Sequence, residues 1–300
     1  MKQIYVIGLG AMGGIVASKL YDLDPSLVKI IAGPERAARL REQPVIVNGK
    51  SYPFEYLSAP PGSVDLVIVG VKHHYLLPSL EDIRPFVGPD TVIMSLMNGI
   101  SSEETLSEAF DRKHVIYAYG VGMSISRVGR VIEYSSIGRI VFGEARNETL
   151  SPRVQALKNI FDRAGIPCEV PVDMLRAQWF KFMMNVGINQ VSMILRAPYG
   201  AFVGNQDAWN LLAAAAREVI LISQLCGVNL DEADIDVVKG IIAGMAPDGT
   251  TSMLQDWEAG RKTEVEMFSG VVISLGKRYG IPTPVNQMLF AMIRYLESVH

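Results

Sequence analysis

The residues best suited to chemistry lie in one apolar run, residues 179–189, which holds a lysine and two asparagines at intervals of four. In a helix, Lys181, Asn185 and Asn189 would drift by about 40° per step and share one face about 80° wide. Burying an unpaired amide costs ~1–3 kcal/mol, and burying an unpaired charge costs more. This polar face must therefore meet either an internal hydrogen-bond network or a wet cleft where a ligand supplies the partners. The spacing alone leaves both interpretations open.

A second candidate motif stands near the N-terminus, between a strand-like segment and a helix-like one. Residues 4–7 are apolar, residues 15–20 have a helical pattern, and Gly8, Gly10 and Gly13 between them form G-x-G-x-x-G. In this context the first glycine allows a tight turn, the second lets the backbone approach a pyrophosphate, and the third lets helix and strand pack closely. The helix N-terminus then faces the phosphates. The sequence therefore predicts a dinucleotide-binding loop.

The end of the next strand bears on the choice between NAD and NADP. The strand near residues 28–32 runs into Gly33-Pro34, with no carboxylate to hold a ribose 2′-hydroxyl. Arg36 and Arg39 lie just beyond, and a basic residue accommodates the 2′-phosphate of NADP. We predict NADP, with these two arginines as candidate ligands of its 2′-phosphate. NAD stays an alternative, because both arginines also suit the solvated face of a helix.

Strand-like and helix-like segments alternate through the first half of the chain, as in a parallel α/β sheet. Buried strands are predicted at residues 64–71 and 91–96, and Lys72 and Asn98 follow them. Both side chains would stand at the carboxyl ends of strands, where open α/β sheets bind ligands. Antiparallel members that complete the sheet are expected at residues 115–118, 131–134 and 139–142.

Beyond a domain boundary that we place near residue 170, the pattern is almost entirely helical. Residues 250–256 look like a capped helix start, with Ser252 near the cap. Thr263 is expected to cap a helix that starts at Glu264 and runs to Tyr279. Structural interpretations stay open for these polar residues, since Ser252 can serve only the cap and Glu264 only the helix dipole.

Composition narrows the classes of protein to consider. Three hundred residues with 49% apolar content can form two domains, each with its own core. A net charge of −3 without a basic block argues against nucleic acid as a partner, and no apolar run reaches the ~18 residues of a membrane span. Two distant cysteines indicate reduced thiols and a cytoplasmic protein. No metal is expected, because metal-ligand spacing is missing among His73, His74, His114 and His300.

The motifs together resemble the 2-dehydropantoate 2-reductase family, also called ketopantoate reductase. The resemblance spans nearly the whole chain and implies an α/β Rossmann-type domain over residues 1–170, which binds NADPH. It implies an all-α catalytic domain over residues 171–300 that closes over it, a small 2-oxo acid as substrate, and reduction of ketopantoate in pantothenate and coenzyme A biosynthesis. A homodimer is compatible with it. The resemblance depends on residues 8–13, 71–72, 98–99, 181–189, 252–256 and 263–264.

This resemblance also implies roles for individual residues. Lys181 would be the general acid, because an ammonium can stabilise the charge that hydride transfer builds on a carbonyl oxygen and then donate a proton. Glu264 would be catalytic, would position substrate and cofactor, and could accept a hydrogen bond from a substrate hydroxyl. Substrate would contact Asn98, Lys181, Asn185, Asn189 and Ser252. Cofactor would contact Gly8, Leu9, Gly10, Ala11, Met12, Gly13, Arg36, Lys72, Asn98 and Glu264.

Two positions depart from the family pattern. Gly33-Pro34 stands where an arginine for the 2′-phosphate is common, and Tyr199 stands where some members have a substrate-site asparagine. The first departure keeps NAD open as the cofactor. Because of the second, a reductase of another branched 2-oxo acid, that is, a different 2-hydroxyacid dehydrogenase, is an alternative. So is a noncatalytic NADP-binding sensor. A methyltransferase would share the glycine-rich turn but would prefer S-adenosylmethionine to a dinucleotide.

Overall fold

The computed structural model describes residues 1–59, 62 and 64–299, so His300 lies outside the described residues. The chain divides into two compact units between Met174 and Leu175. Unit 1 is the part up to Met174 and unit 2 begins at Leu175.

Unit 1 is built from strands and helices that alternate along much of the chain. Its helices are α1 (Ala11–Leu23), α2 (Pro34–Glu42), α3 (Leu76–Ile83), α4 (Ser102–Phe110) and α5 (Pro152–Arg163). Its strands are β1 (Ile4–Ile7), β2 (Val28–Ile31), β3 (Val45–Val47), β4 (Lys50–Tyr52), β5 (Glu55–Leu57), β6 (Leu66–Val69), β7 (Val92–Ser95), β8 (Val115–Val121), β9 (Ser124–Val128), β10 (Val131–Ser136), β11 (Arg139–Gly143) and β12 (Cys168–Glu169).

The main sheet of unit 1 has the strand order β12-β11-β8-β7-β6-β1-β2-β5. From β5 to β8 every neighbouring pair is parallel. All residues of β1, β6 and β7 are buried, as expected for parallel strands covered on both faces. The chain winds outward from β1 to β2 and then returns to β6 on the other side. The carboxyl ends of β1 and β6 therefore form a topological switch point, the usual ligand-binding edge of such sheets.

The rest of the main sheet differs in part from the antiparallel members expected from the sequence. Residues 115–118 fall in β8, which is parallel to β7, and residues 139–142 fall in β11, which is antiparallel to β8 as expected. Residues 131–134 fall in β10, which is not in the main sheet. Because β8 pairs directly with β11, the β9–β10 hairpin leaves the main sheet.

The hairpin joins a second sheet with the order β4-β3-β10-β9. Asn48 and Gly49 both have positive φ, 45° and 78°, and close the β3–β4 hairpin. Such an Asn-Gly pair suits the turn that matches the right-handed twist of two strands. Strand β3 then pairs in parallel with β10.

The regular secondary structure among the described residues of unit 2 is all helical, as the sequence predicts. Most of the helix α6 belongs to it. Its helices are α6 (Met174–Leu195), α7 (Tyr199–Gly204), α8 (Gln206–Leu225), α9 (Glu232–Ala243), α10 (Ser252–Glu258), α11 (Ser269–Tyr279) and α12 (Pro284–Val299). None of the helices in the described part of the chain combines the length and apolar character needed to cross a membrane.

The helix expected from Glu264 to Tyr279 is interrupted. A short 3-10 turn covers Val265–Met267, and α11 begins only at Ser269. The backbone at Phe268 leaves helical values, with φ −101° and ψ −94°. The Phe268 side chain is fully buried, and the N–H of Ser269 donates to Gln190 Oε1 at 3.2 Å instead of to a helical carbonyl. Tertiary packing thus divides the expected helix in two.

Candidate active site

The glycines of the loop in unit 1 stand where added side chains would be crowded. Gly8 has a φ of +91°, and a Cβ there would lie 2.7 Å from the carbonyl carbon of Gly70, directly after β6. A Cβ on Gly13 would overlap the carbonyl oxygen of Gly8. The backbones of Gly8, Gly13 and Gly70 therefore pack directly on one another. The sequence motif predicts the first two but not Gly70, whose signal in the sequence is its place at the end of a buried strand.

The loop ends in an open helix N-terminus. Gly10 precedes α1, no side chain caps the helix, and its first turn has no acidic residue. The first peptide N–H groups of a helix carry partial positive charge and bind anions such as phosphates. A Cβ on Gly10 would lie 3.1 Å from the carbonyl oxygen of Gly70, so the glycine keeps this backbone approachable. The loop therefore fits the pyrophosphate of a dinucleotide. Leu9, Ala11 and Met12 complete this segment.

Two further predicted cofactor residues stand at the same edge of the sheet. Lys72 comes just after β6 and is exposed, and its carbonyl accepts from the N–H of Tyr75 at 2.8 Å. Asn98 comes just after β7, is half-buried and precedes Gly99, which has a φ of +88°. Since β1, β6 and β7 are neighbours, the structure brings Lys72, Asn98 and the glycine loop to one edge of unit 1.

His73 and His74, which follow β6, lie in a short 3-10 turn, His73–Tyr75. The Nδ1 atom of His73 is buried and has no hydrogen-bond partner in the structure as described. Within the described residues, no three His, Cys, Asp or Glu side chains are grouped so that they could hold a metal ion.

Arg36 lies in the first turn of α2, just beyond the end of β2. Pro34 is the first helical residue, and Gly33 precedes it with φ −59° and ψ 158°. The side chains of Arg36 and Arg39 are both exposed. Neither forms an ion pair with another described residue, so both are available to an anionic ligand.

In unit 2, one continuous helix, α6, carries Lys181, Asn185 and Asn189 as predicted. The two asparagines are only 5% and 6% exposed, and Lys181 is half-buried. Within the described residues, none of the three side chains has a hydrogen-bond or ion-pair partner. Since each amide can both donate and accept, these side chains are available to hydrogen-bond a ligand.

The environment of Lys181 suits a proton donor. Burial disfavours the charged ammonium and lowers the pKa of Lys181 from its usual value near 10.5 to about 8. A general acid works best when its pKa lies near the working pH, because it is then protonated and still releases its proton readily.

A separate polar network holds α6 in place. Gln190, next to Asn189, has its Nε2 atom 3.4 Å from Asn286 Oδ1, and its Oε1 accepts from the Ser269 N–H. Asn286 Nδ2 donates to Glu218 at 2.7 Å, and the Glu218 carboxylate also accepts N–H groups at the start of α12. The helix N-terminus thus stabilises a buried carboxylate. Gln190 thus makes the hydrogen bonds that join α6 to its neighbours. The polar face of Lys181, Asn185 and Asn189 takes no part in this network and is available to a ligand.

Ser252 is the exposed first residue of α10, and the cap of that helix is Thr251. Thr251 Oγ1 accepts from the Leu254 N–H at 3.3 Å and donates to Ser192 Oγ at 3.2 Å. Ser192 lies in α6, three residues beyond Asn189. The contact therefore fixes the start of α10 beside the end of the polar face. A capping role does not explain Ser252.

Glu264 lies in the segment between α10 and α11. Thr263 beside it donates both its N–H and its Oγ1–H to Glu297 Oε1, at 2.8 and 2.6 Å. Glu264 is half-buried, and α11 begins five residues later at Ser269. A role limited to the dipole of that helix therefore does not fit its position.

Tyr199, the position that departs from the family pattern, begins α7. Its N–H donates to the Gly249 carbonyl at 2.9 Å, and burial raises the pKa of its phenol. The ring packs close to Gly249, where a Cβ would lie 3.2 Å from Tyr199 Cδ2.

Known proteins match the chain along nearly its full length. The profile of the family Ketopantoate reductase PanE/ApbA matches residues 4–147, and that of its C-terminal domain matches residues 173–297. The chain is 26% identical to a 2-dehydropantoate 2-reductase of Pyrococcus horikoshii, over 99% of this chain and 98% of that one. It is 27% identical to the Archaeoglobus fulgidus protein of the same name, over 99% of each chain.

Solved structures share the fold. A 2-dehydropantoate 2-reductase from Geobacter metallireducens has 26% identity and a TM-score of 0.84, covering 98% of this chain and 99% of that one. A D-mandelate dehydrogenase bound to NADH and anilino(oxo)acetate has 20% identity and a TM-score of 0.88, covering 99% and 98%. A ketopantoate reductase from Staphylococcus aureus, described as dimeric, has 19% identity and a TM-score of 0.81, covering 99% of each chain. The last two comparisons concern the fold alone.

The resemblance and the fold class expected from the sequence are thus confirmed, and the two profiles together account for most of the chain. The chain belongs to the ketopantoate reductase PanE/ApbA family.

Proposed function

We propose that this protein reduces 2-dehydropantoate to pantoate with NADPH, in the biosynthesis of pantothenate and coenzyme A. The observation that carries the proposal is the polar face of α6, where Lys181, Asn185 and Asn189 have no partner within the described residues. Relatives named 2-dehydropantoate 2-reductase over the full length of the chain support the choice of substrate.

Lys181 donates the proton in this proposal. NADPH supplies the hydride, and negative charge grows on the carbonyl oxygen as the 2-keto carbon accepts it. The Lys181 ammonium stabilises that charge and then protonates the oxygen. Its pKa of about 8 means that the proton is present at neutral pH and is released more easily than from an exposed lysine.

Substrate recognition falls to the amides and hydroxyl near Lys181. Asn185 and Asn189 can each donate and accept, which suits a ligand that carries a carboxylate, a ketone and a hydroxyl. Ser252 adds a hydroxyl that the cap of α10 does not use. Glu264 accepts the hydrogen bond of the ketopantoate hydroxyl and compensates the charge of Lys181.

Cofactor binding falls to unit 1. The loop from Gly8 to Gly13 receives the pyrophosphate on backbone N–H groups, with Lys72 and Asn98 at the same sheet edge. Arg36 pairs with the 2′-phosphate, since a guanidinium forms short, charge-assisted hydrogen bonds with phosphate oxygens. This last contact is the basis for proposing NADPH over NADH.

The experiment is a matrix of two cofactors and several substrates. NADPH and NADH oxidation would be followed with ketopantoate and with 2-oxo acids of similar branching that lack the hydroxyl. We expect the highest kcat/KM with NADPH and ketopantoate. Dinucleotide binding without turnover of any 2-oxo acid would indicate a noncatalytic sensor, and preferential binding of S-adenosylmethionine would indicate a methyltransferase.

A second candidate is a reductase of another branched 2-oxo acid. One observation favours it: Tyr199 stands where some members have a substrate-site asparagine. The same matrix distinguishes the two, because this enzyme would turn over an unhydroxylated acid faster than ketopantoate.

We also propose that the protein forms a homodimer. Support comes from the family, in which the Staphylococcus aureus ketopantoate reductase is described as dimeric. Sedimentation equilibrium would give twice the chain mass of 32.9 kDa if the proposal is right, and the chain mass itself if it is wrong.

A further inference from the structure

One side of helix α12 is apolar and exposed along most of its length. Another side packs into unit 2, where Leu289 and Ile293 are buried. The exposed side carries four large apolar side chains, between 42% and 67% exposed, which are Met288, Met292, Tyr295 and Val299. At 100° per residue, these four positions fall within a sector of the helix surface about 60° wide. We call them the α12 row.

The charged side chains of α12 have partners within the same chain. Arg294 and Glu297 are the two charged residues of this helix. Arg294 Nη1 donates to Glu266 Oε1 at 3.2 Å, and Glu297 accepts both the N–H and the hydroxyl of Thr263. A second surface could therefore cover the α12 row without burying an unpaired charge of this helix, which would be costly.

The α12 row is larger than the other exposed apolar groups of unit 2. Within the described residues, no other helix of this unit exposes more than two large apolar side chains, as with Val237 and Ile241 on α9. Single exposed apolar residues are ordinary, whereas a contiguous patch of several hundred Å² marks an interaction site. The α12 row exposes roughly 500 Å², so covering it in two copies would remove about 1,000 Å², the size from which an interface becomes specific.

The spacing of the α12 row is the same in both directions along the helix, because its residues follow one another at intervals of four, three and four. Two copies of α12 that pack antiparallel therefore place Met288 against the partner's Val299. They also place Met292 against the partner's Tyr295. Such reciprocal contacts are the property of a two-fold symmetric interface. Intervals of three and four are also those at which side chains of two helices interdigitate.

We propose that the α12 row is the two-fold contact of the homodimer, and that a second copy of this chain covers it. This assignment rests on the homodimer of the proposed function and names the surface that forms it. A membrane surface is a poorer occupant, because helices that lie on membranes carry several Lys and Arg beside their apolar face. Helix α12 has a single arginine, Arg294, and that arginine is already paired.

The first test compares the wild type, Met292→Arg and Val237→Arg by sedimentation equilibrium. Met292→Arg would bury two unpaired guanidinium groups near the two-fold axis, so the dissociation constant of the dimer should rise by about 100-fold or more. Val237→Arg is the matched control, since it makes the same kind of change at an exposed apolar residue of α9. It should leave the mass at twice the chain mass of 32.9 kDa.

The second test measures the register with pairs of cysteines, which add no charge and so test the same surface if Met292→Arg does not fold. The double variant Met288→Cys/Val299→Cys should give a disulfide-linked dimer on mild oxidation, because each thiol faces the partner's other thiol. The double variant Met288→Cys/Met292→Cys should not, since its thiols lie toward opposite ends of the antiparallel contact. The wild type, oxidised in the same way, controls for Cys168 and Cys226, and a non-reducing gel gives the result.

A Met292→Arg variant that dimerises as tightly as the wild type would overturn this assignment. So would a monomeric Val237→Arg beside a dimeric Met292→Arg, which would move the contact to α9. Cross-linking of Met288→Cys/Met292→Cys in place of Met288→Cys/Val299→Cys would contradict the antiparallel register. A monomeric wild type would overturn the proposed homodimer together with its surface, whereas the proposed reductase activity is measured independently by cofactor oxidation.

Discussion

The glycine loop of unit 1 and the polar face of α6 in unit 2 are built on opposite principles. Around Gly8, Gly13 and Gly70 the contacts are backbone on backbone, and added side chains would collide. On α6, side chains with chemistry to perform stand buried or half-buried without partners within the described residues. The glycine loop depends on the absence of side chains at its glycines, and the polar face of α6 depends on the functional groups that its side chains carry. Substitutions should accordingly damage the first through shape and the second through lost functional groups.

Removing the ammonium should have the largest effect. Lys181→Ala is expected to lower kcat by roughly 10²–10⁴, the usual contribution of a positioned general acid, with little change in NADPH affinity. Steady-state kinetics and fluorescence titration measure the two quantities. Lys239→Ala is the control, an exposed lysine on α9. Near-normal turnover in folded Lys181→Ala would remove Lys181 from the mechanism.

Adding a single methyl group to the loop should come next. In Gly13→Ala the new Cβ collides with the Gly8 carbonyl oxygen, and overpacking of this kind costs about 1–3 kcal/mol of unfolding free energy. Because the loop must shift, NADPH affinity should fall as well. Gly33→Ala is the matched control, since no atom lies within 4 Å of its added Cβ. Denaturant unfolding that gives equal stability for both variants would show that the loop is not crowded.

Within unit 1, Arg36 tests the choice between NADPH and NADH. Loss of a charge-assisted hydrogen bond worth about 1.5–3 kcal/mol should weaken NADPH by about 10–100-fold in Arg36→Ala, while NADH affinity stays nearly unchanged. Arg39→Ala, one turn further along α2, serves as the comparison. An equal loss for both cofactors, or no loss, would mean that Arg36 is only a surface residue of the helix.

Within unit 2, Glu264 is expected to bind the substrate hydroxyl, whereas Lys181 transfers the proton. A substitution at Glu264 therefore tests hydroxyl recognition separately from proton transfer. Glu264→Ala should lower kcat/KM for ketopantoate at least tenfold more than for the same acid without the hydroxyl, since a hydrogen bond to a charged group is worth about 1.5–3 kcal/mol. Glu258→Ala in α10 is an exposed control. Equal losses for the two substrates would mean that Glu264 acts through Lys181 or stabilises its own segment. It would then not bind the substrate hydroxyl.

Local patterns in the sequence predicted much of both regions. Apolar runs placed β1, β6 and β7, the glycine spacing placed the loop, and the four-residue interval placed Lys181, Asn185 and Asn189 on one helix. These signals are local because they depend on backbone period and on steric rules within a few residues. The roles of the site residues stay predictions.

Features that depend on distant contacts could not be predicted in this way. Gln190 meets Asn286 across 96 positions of the chain, and Ile132 lies against Gly14 at the start of α1 only because a hairpin leaves the main sheet. The three-residue strands β3 and β4 are too short for a period to be recognised, although Asn48-Gly49 is a usable hairpin signal. The break at Phe268 follows from tertiary packing that overrides a helical pattern.

We propose that the ammonium of Lys181, whose pKa is lowered by burial, supplies the proton. The pH dependence of kcat/KM must then follow the titration of Lys181. A general acid must be protonated to act, so activity is present below its pKa and is lost as pH rises through it. With the pKa of Lys181 lowered to about 8, kcat/KM should fall to half near pH 8 and tenfold for each further pH unit. In Lys181→Arg, whose guanidinium keeps its proton throughout this range, the residual activity should show no such fall. A wild-type profile that stays flat to pH 9.5, or the same fall in Lys181→Arg, would contradict the account.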